Sequence, residues 1–82
     1  MKQDEIYFLK RIQIECGTHY NIHHTVRDII NEPHFPMHYK RAWYLLEKWT
    51  KKNWYEYGTT LDLGWMTDEG MKVNADLDTP EK

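Results

Sequence analysis

Pro33 and Pro36 constrain where the helices of this 82-residue chain begin and end. A proline disfavours helical backbone at the residue before it, so a helix that precedes Pro33 has to stop there. Pro36 instead suits the first turn of a following helix, where its missing N–H costs nothing. The sequence therefore predicts a short helix that starts at Thr25, a turn at residues 32–35, and a longer helix that begins near Pro36.

Local signals also place a first helix over residues 4–16, with Gly17 as its stop. A connector follows at residues 17–24, with a short strand expected around residues 20–22. Asp28 lies three residues after Thr25, which is the spacing of a capping box. These signals predict three helices within the first two thirds of the chain.

The third helix, predicted to end near Asn53, has two different sides when about 100° is allowed per residue. The apolar side is expected to face the core and carries Phe35, His38, Ala42, Leu45, Leu46 and Trp49. The opposite, basic side carries Met37, Lys40, Tyr44, Lys48 and Lys51, with Arg41 at its border. Tyr39 and Trp43 lie on a flank. Asn53 suits a left-handed residue just past the helix end.

Aromatic and β-branched residues at 54–66 predict a hairpin with a short tip at the sequence GTT, residues 58–60. Tyr55 and Tyr57 are expected to face inward together, with Trp54 and Trp65 as the alternative inward residues. Gly64 is expected to mark a bulge or a close approach of backbone. Thr67 then caps one last helical turn. The expected organisation is one domain over residues 1–72 and a flexible acidic tail over residues 73–82.

Composition excludes some classes of protein. The longest apolar runs are a handful of residues, whereas a membrane span needs about 20, so no membrane contact is expected. A single cysteine, Cys16, rules out an internal disulfide, and we expect a cytoplasmic protein. The formal net charge of −2 disfavours a generic nucleic-acid binder, but the third helix is locally basic.

The order helix, connector, helix, tight turn, basic helix and hairpin resembles the winged helix-turn-helix domain. LLEKWTKKNWYEY, residues 45–57, is similar to a recognition helix that runs into a first wing strand. MTDEG, residues 66–70, is similar to the LT-x-x-G that follows the second wing strand in several winged-helix repressor families. The resemblance covers residues 2–71 and implies a mainly α fold: three helices plus a two-stranded wing.

The chain departs from the family pattern in two places. Glu32, Pro33 and Pro36 occupy a turn that usually has small residues, and the wing tip carries no Arg or Lys. In many winged helices a basic wing tip contacts the minor groove or the phosphate backbone.

The resemblance implies a small regulator of transcription, of the type found in phages and mobile elements, that places its third helix in the major groove of double-stranded DNA. The DNA-binding residues that it implies are Arg27, Met37, Lys40, Arg41, Tyr44, Lys48 and Lys51. Among them, Lys40 and Arg41 would reach base edges or phosphates, while Lys48 and Lys51 would meet phosphates further along. A domain of this size often dimerises on DNA, here through the first helix and the tail.

Five histidines lie within residues 19–38, close to Cys16. Zinc could use Cys16, His19, His34 and His38, but satisfied turn and core histidines are commoner, and we expect no metal and no other cofactor. No catalytic Ser-His-Asp or Cys-His order stands out, and no Gly-rich phosphate loop is present. Cys16 ends a helix, where the dipole disfavours a thiolate, so we expect a buried thiol and no enzyme.

A second hypothesis comes from another class. Exposed aromatic residues such as Trp43 and Tyr44 are typical of protein interfaces, and the expected wing is neutral. The chain would then be a winged-helix module that binds and modulates a host protein. DNA binding should weaken steeply as salt rises, whereas an aromatic interface should be nearly insensitive to salt.

Overall fold

The computed structural model describes residues 1–77. Its elements, in chain order, are α1 Gln3–Cys16, α2 Val26–Ile30, α3 Tyr39–Lys51, β1 Tyr55–Tyr57, β2 Gly64–Met66 and α4 Asp68–Leu77. The expected mainly helical fold with a small antiparallel hairpin is confirmed at this level. None of the helices in residues 1–77 is long and apolar enough to cross a bilayer.

The ends of the helices follow the local sequence signals. Thr25 and Asp28 form the predicted capping box, in which each side chain accepts a hydrogen bond from the backbone N–H of the other, at 3.2 and 3.3 Å. Gly17 ends α1 with a φ of 59°, and Asn53 follows α3 with a φ of 62°. A residue with positive φ at this place ends a helix, because its backbone is left-handed.

The start of α3 differs from the prediction. The helix begins at Tyr39, because His38 is its N-cap and the His38 Nδ1 accepts a hydrogen bond of 3.2 Å from the Lys40 N–H. His38 is therefore exposed, and its predicted place on the apolar core face was wrong. Met37 precedes the helix and packs, partly buried, against the core, so it does not lie on the exposed basic side.

The core lies between α1, α3 and the hairpin. Ala42, Leu45, Leu46 and Trp49 are buried, which confirms most of the predicted inner side of α3. Phe8 of α1 meets the Trp49 ring at 5.5 Å between centroids. Its ring also meets the half-buried Phe35 edge-on at 5.1 Å. These aromatic contacts fix α3 on α1 and leave the opposite side of α3 in solvent.

The hairpin pairs Tyr55 with Met66, Glu56 with Trp65, and Tyr57 with Gly64. Tyr55 is buried and donates a hydrogen bond of 2.5 Å to the Leu61 carbonyl. Tyr57 is 42% exposed, so the expected inward pair of tyrosines was wrong: the strand passes the edge of the core before it reaches Tyr57. The connecting loop, residues 58–63, is longer than the predicted tip.

Of the two predicted roles for Gly64, a bulge or a close approach of backbone, the structure shows the close approach. A Cβ at this position would overlap the Glu56 carbonyl and the Tyr55 ring. Residues 20–22 form no strand, which corrects that prediction. The segment after α1 is hydrogen-bonded to the sheet, where the Met66 N–H donates to the Gly17 carbonyl at 2.8 Å.

The C-terminal prediction was too short. In place of one helical turn and a tail from residue 73, α4 extends to Leu77. Asn74 is only 1% exposed, and its side-chain amide donates a hydrogen bond of 3.3 Å to the Leu9 carbonyl of α1. The domain therefore includes residues 73–77, because their apolar side chains pack on the core. The rest of the predicted tail, residues 78–82, lies outside the described residues.

Candidate nucleic-acid interface

The exposed side of α3 is the most distinctive surface of the fold. Since Ala42, Leu45, Leu46 and Trp49 face inward, the helical period turns the remaining side chains outward. The outward residues include Tyr39, Lys40, Trp43, Tyr44, Glu47 and Lys51. The sequence predicted Lys40, Tyr44 and Lys51 on this side correctly, and it placed Trp43 and Tyr39 on the flank.

Lysines supply the available positive charge of this surface. Lys40 and Lys51 are exposed, and Lys48 is half-buried at the edge of the same side. Within residues 1–77, none of these three lysines forms an ion pair. Lys52 continues the row, with its Nζ 4.9 Å from the centre of the Trp54 ring. Glu47 is the one acidic residue of α3.

Arg41, predicted to contact base edges or phosphates of DNA, lies against α1. Its Nε and Nη2 donate hydrogen bonds of 3.1 Å to the two carboxylate oxygens of Asp4, and Nη2 is 3.6 Å from Glu5. The hydrogen bond from Arg41 lowers the pKa of Asp4 below its ordinary value. A guanidinium fixed on two carboxylates is already neutralised and is not presented to an approaching base.

Arg27, predicted to contact the DNA backbone, pairs with Asp62 of the hairpin loop. Its Nε and Nη2 donate hydrogen bonds of 2.8 and 3.1 Å to the Asp62 carboxylate. The backbone N–H of Arg27 also donates to the Asp62 carbonyl at 2.9 Å. This double contact, together with a hydrogen bond from Thr60 to Asp62, holds the loop against the start of α2. The pairing with Arg27 lowers the pKa of Asp62.

The third arginine of the chain is paired in the same manner. Arg11 donates hydrogen bonds of 2.7 and 2.6 Å to the Glu32 carboxylate, which joins α1 to the turn before α3. All three arginines in the sequence therefore bind carboxylates within the fold. The positive charge on the basic side of α3 therefore comes from lysine ammonium groups. These are flexible point charges and cannot form the planar bidentate hydrogen bonds of an arginine.

Aromatic side chains of α3 border three open clefts. Trp43 shares a cleft of about 530 Å³ with Tyr57 and the hairpin loop, and one of about 250 Å³ with α2. A third notch of about 320 Å³ is lined by Tyr39, Lys40 and Trp43 alone. The sequence placed Tyr39 and Trp43 on the flank of the helix and assigned Trp43 only to a possible protein interface, because only the fold shows which clefts lie beside that flank.

The cysteine and histidines do not come together as a site. Cys16 is buried, as predicted, and burial raises the pKa of its thiol to about 11. Its Sγ–H donates a hydrogen bond of 3.3 Å to the His24 carbonyl. No group of three or more His, Cys, Asp or Glu side chains within residues 1–77 is placed to hold a metal ion. His38 caps α3, so its ring nitrogen already has a partner.

Comparisons of the chain with protein-family models, curated proteins and solved structures give no match.

Proposed function

We propose that this protein is a small winged-helix DNA-binding protein, a regulator of transcription of the phage or mobile-element type, that places α3 in the major groove of double-stranded DNA. The single observation that carries the proposal is the outward side of α3, where Lys40, Lys48 and Lys51 form no ion pair with any residue from 1 to 77. A helix is the element that fits the major groove, and unpaired lysines along it supply phosphate contacts.

The distribution of charge supports this orientation. Glu56, Asp68 and Glu69 line a separate cleft of about 520 Å³ at the start of α4. The lysines of α3 are thus grouped on one element, while these carboxylates lie together on β1 and at the start of α4. A polyanion responds to local potential more than to net charge, so the formal charge of −2 does not prevent docking through α3.

The arginine pairs change how such a complex would recognise DNA. Arg41 is bound to Asp4, and therefore does not supply the bidentate guanine contact that the resemblance implied. The hairpin loop has no basic residue and is held on α2 by Arg27, so the wing adds little charge to the contact. Phosphate contacts from lysines then provide most of the affinity, and discrimination between sequences is modest.

The test is a gel shift on randomised duplex DNA with the charge-reversed variant Lys40→Glu/Lys51→Glu. The control is the single change Lys72→Glu on α4, at an exposed lysine whose Nζ lies 3.6 Å from the Glu69 carboxylate. We expect wild type and the control to shift the duplex and the α3 variant to lose the shift, while thermal unfolding stays unchanged in all three. Equal binding by both variants would place the contact elsewhere, and no shift by wild type would reject DNA as the partner.

A second candidate function, a protein-interaction module, is favoured by one specific observation. Tyr44 is 61% exposed on α3, and Trp43 and Tyr57 are exposed on either side of the cleft between α3 and the hairpin. Tyrosine and tryptophan are frequent anchors of protein interfaces. This candidate predicts a partner whose capture is lost with Tyr44→Ala and Trp43→Ala, and is unaffected by the lysine reversals and by salt.

A further inference from the structure

The notch formed by Tyr39, Lys40 and Trp43 is the apolar feature nearest the beginning of α3. Tyr39 and Trp43 are one helical turn apart, 57% and 38% exposed, and their rings flank a volume of about 320 Å³. The first turns of a recognition helix are the part that reaches base edges. The notch therefore lies where the proposed complex would read sequence.

Charge indicates what kind of molecule fills the notch. Its one charged lining residue is Lys40, whereas the neighbouring cleft toward the hairpin loop is lined by both Glu47 and Lys51, whose charges oppose each other. An apolar niche with a free ammonium at its rim suits an apolar group that is carried on a polyanion. In the major groove of DNA, the apolar group that a base presents is the 5-methyl of thymine.

We infer that the notch receives a thymine methyl group, so that Trp43 and Tyr39 give the protein a preference for sites that contain A·T pairs; this inference rests on the proposed function. The arginine pairs strengthen it. Since Asp4 holds the guanidinium of Arg41, the start of α3 offers no arginine for a bidentate hydrogen bond to guanine. The exposed aromatic residues at the start of α3 can instead recognise thymine through apolar contact with its methyl group.

The experiment compares DNA with and without the methyl group. Duplexes enriched for binding from a random pool are amplified twice, once with dTTP and once with dUTP, so that the two products share every sequence and base pair and differ only in the 5-methyl groups. We expect wild-type affinity to be about fourfold lower for the uracil pool for each methyl that the notch buries. Equal affinity for the two pools overturns the inference and leaves the proposed DNA binding intact.

Substitutions then assign the effect to the notch. Trp43→Ala should bind the thymine and uracil pools with equal affinity. Tyr57→Ala, which removes an exposed aromatic outside α3, should keep the full difference between the pools. If Trp43→Ala retains that difference, another residue reads the methyl and the inference is wrong. Failure of wild type to bind either pool instead rejects the proposed function itself.

Discussion

Arg41 of α3 and Asp4 of α1 form a two-point contact, with both hydrogen bonds 3.1 Å long. The pair joins the start of the first helix to the helix proposed to bind DNA. An arginine that looks like a base-reading residue in the sequence thus has a structural partner 37 positions away. The same division of roles, arginines for internal pairs and lysines for the outer surface, recurs at Arg11 and Arg27.

The first prediction follows from that contact. Arg41→Ala should lower the melting temperature and leave the DNA sequence preference unchanged, because the guanidinium is bound to α1. The measurements are thermal unfolding and binding to the enriched duplex pool. Lys48→Ala is the matched control on the same edge of α3: it should weaken binding to every sequence and leave the melting temperature nearly unchanged. A loss of sequence preference in Arg41→Ala would show that Arg41 leaves Asp4 to read a base.

Acid should destabilise the protein through its arginine-paired carboxylates. Hydrogen bonds from arginine lower the folded-state pKa of Asp4, Glu32 and Asp62. Their stabilising contribution is present above the unfolded-state pKa of about 4 and is lost as pH falls through the lowered folded-state values. Denaturant unfolding between pH 7 and pH 3 should therefore show falling stability below about pH 4. Asp62→Asn should make that decline shallower, and an unchanged decline would mean that its pairing with Arg27 contributes nothing.

Gly64 should not tolerate a side chain. A Cβ there would overlap the Glu56 carbonyl and the Tyr55 ring, so Gly64→Ala should cost about 1–3 kcal/mol of unfolding free energy. Gly58→Ala is the control in the same hairpin, because the nearest atom to its added Cβ is 3.9 Å away on Trp65. The control should change stability by less than about 0.5 kcal/mol. Equal stability of the two variants in urea would contradict the register of the hairpin.

The end of the chain should be part of the folded domain. Asn74→Ala removes a buried amide that donates to Leu9, and should cost about 1–3 kcal/mol. Asp76→Ala, at an exposed position of the same helix, should be nearly neutral. Truncation after Val73 should destabilise the protein further than either substitution. If the truncated chain unfolds at the wild-type urea concentration, residues 74–77 do not stabilise the fold.

The parts of the fold that the sequence predicted depend on neighbouring residues. Thr25 with Asp28, Gly17 and Asn53 each act within a few positions, so their effects on helix ends are visible in the sequence. The inner side of α3 follows from helical periodicity in the same way. His38 shows where this reasoning fails: periodicity assigned it to the core, but its side chain caps the helix before the period begins.

The candidate site was harder to predict because it depends on distant residues. The pair Arg27–Asp62 spans 35 positions, and the hydrogen bond from Asn74 to Leu9 spans 65. No local pattern distinguishes an arginine that is paired inside the fold from one that is free to bind DNA. The lysine positions of α3 were predictable, since a regular helix fixes which side they occupy.

The salt dependence of duplex binding tests the central claim most directly. Fluorescence anisotropy with a labelled duplex, at salt concentrations from about 50 to 200 mM, gives the slope of log affinity against log salt. If Lys40, Lys48, Lys51 and Lys52 each neutralise a phosphate, the slope should be about −3.5, and Lys51→Ala should reduce its magnitude by about one. A slope near zero, or a slope that Lys51→Ala leaves unchanged, would contradict the claim that α3 binds DNA through these lysines.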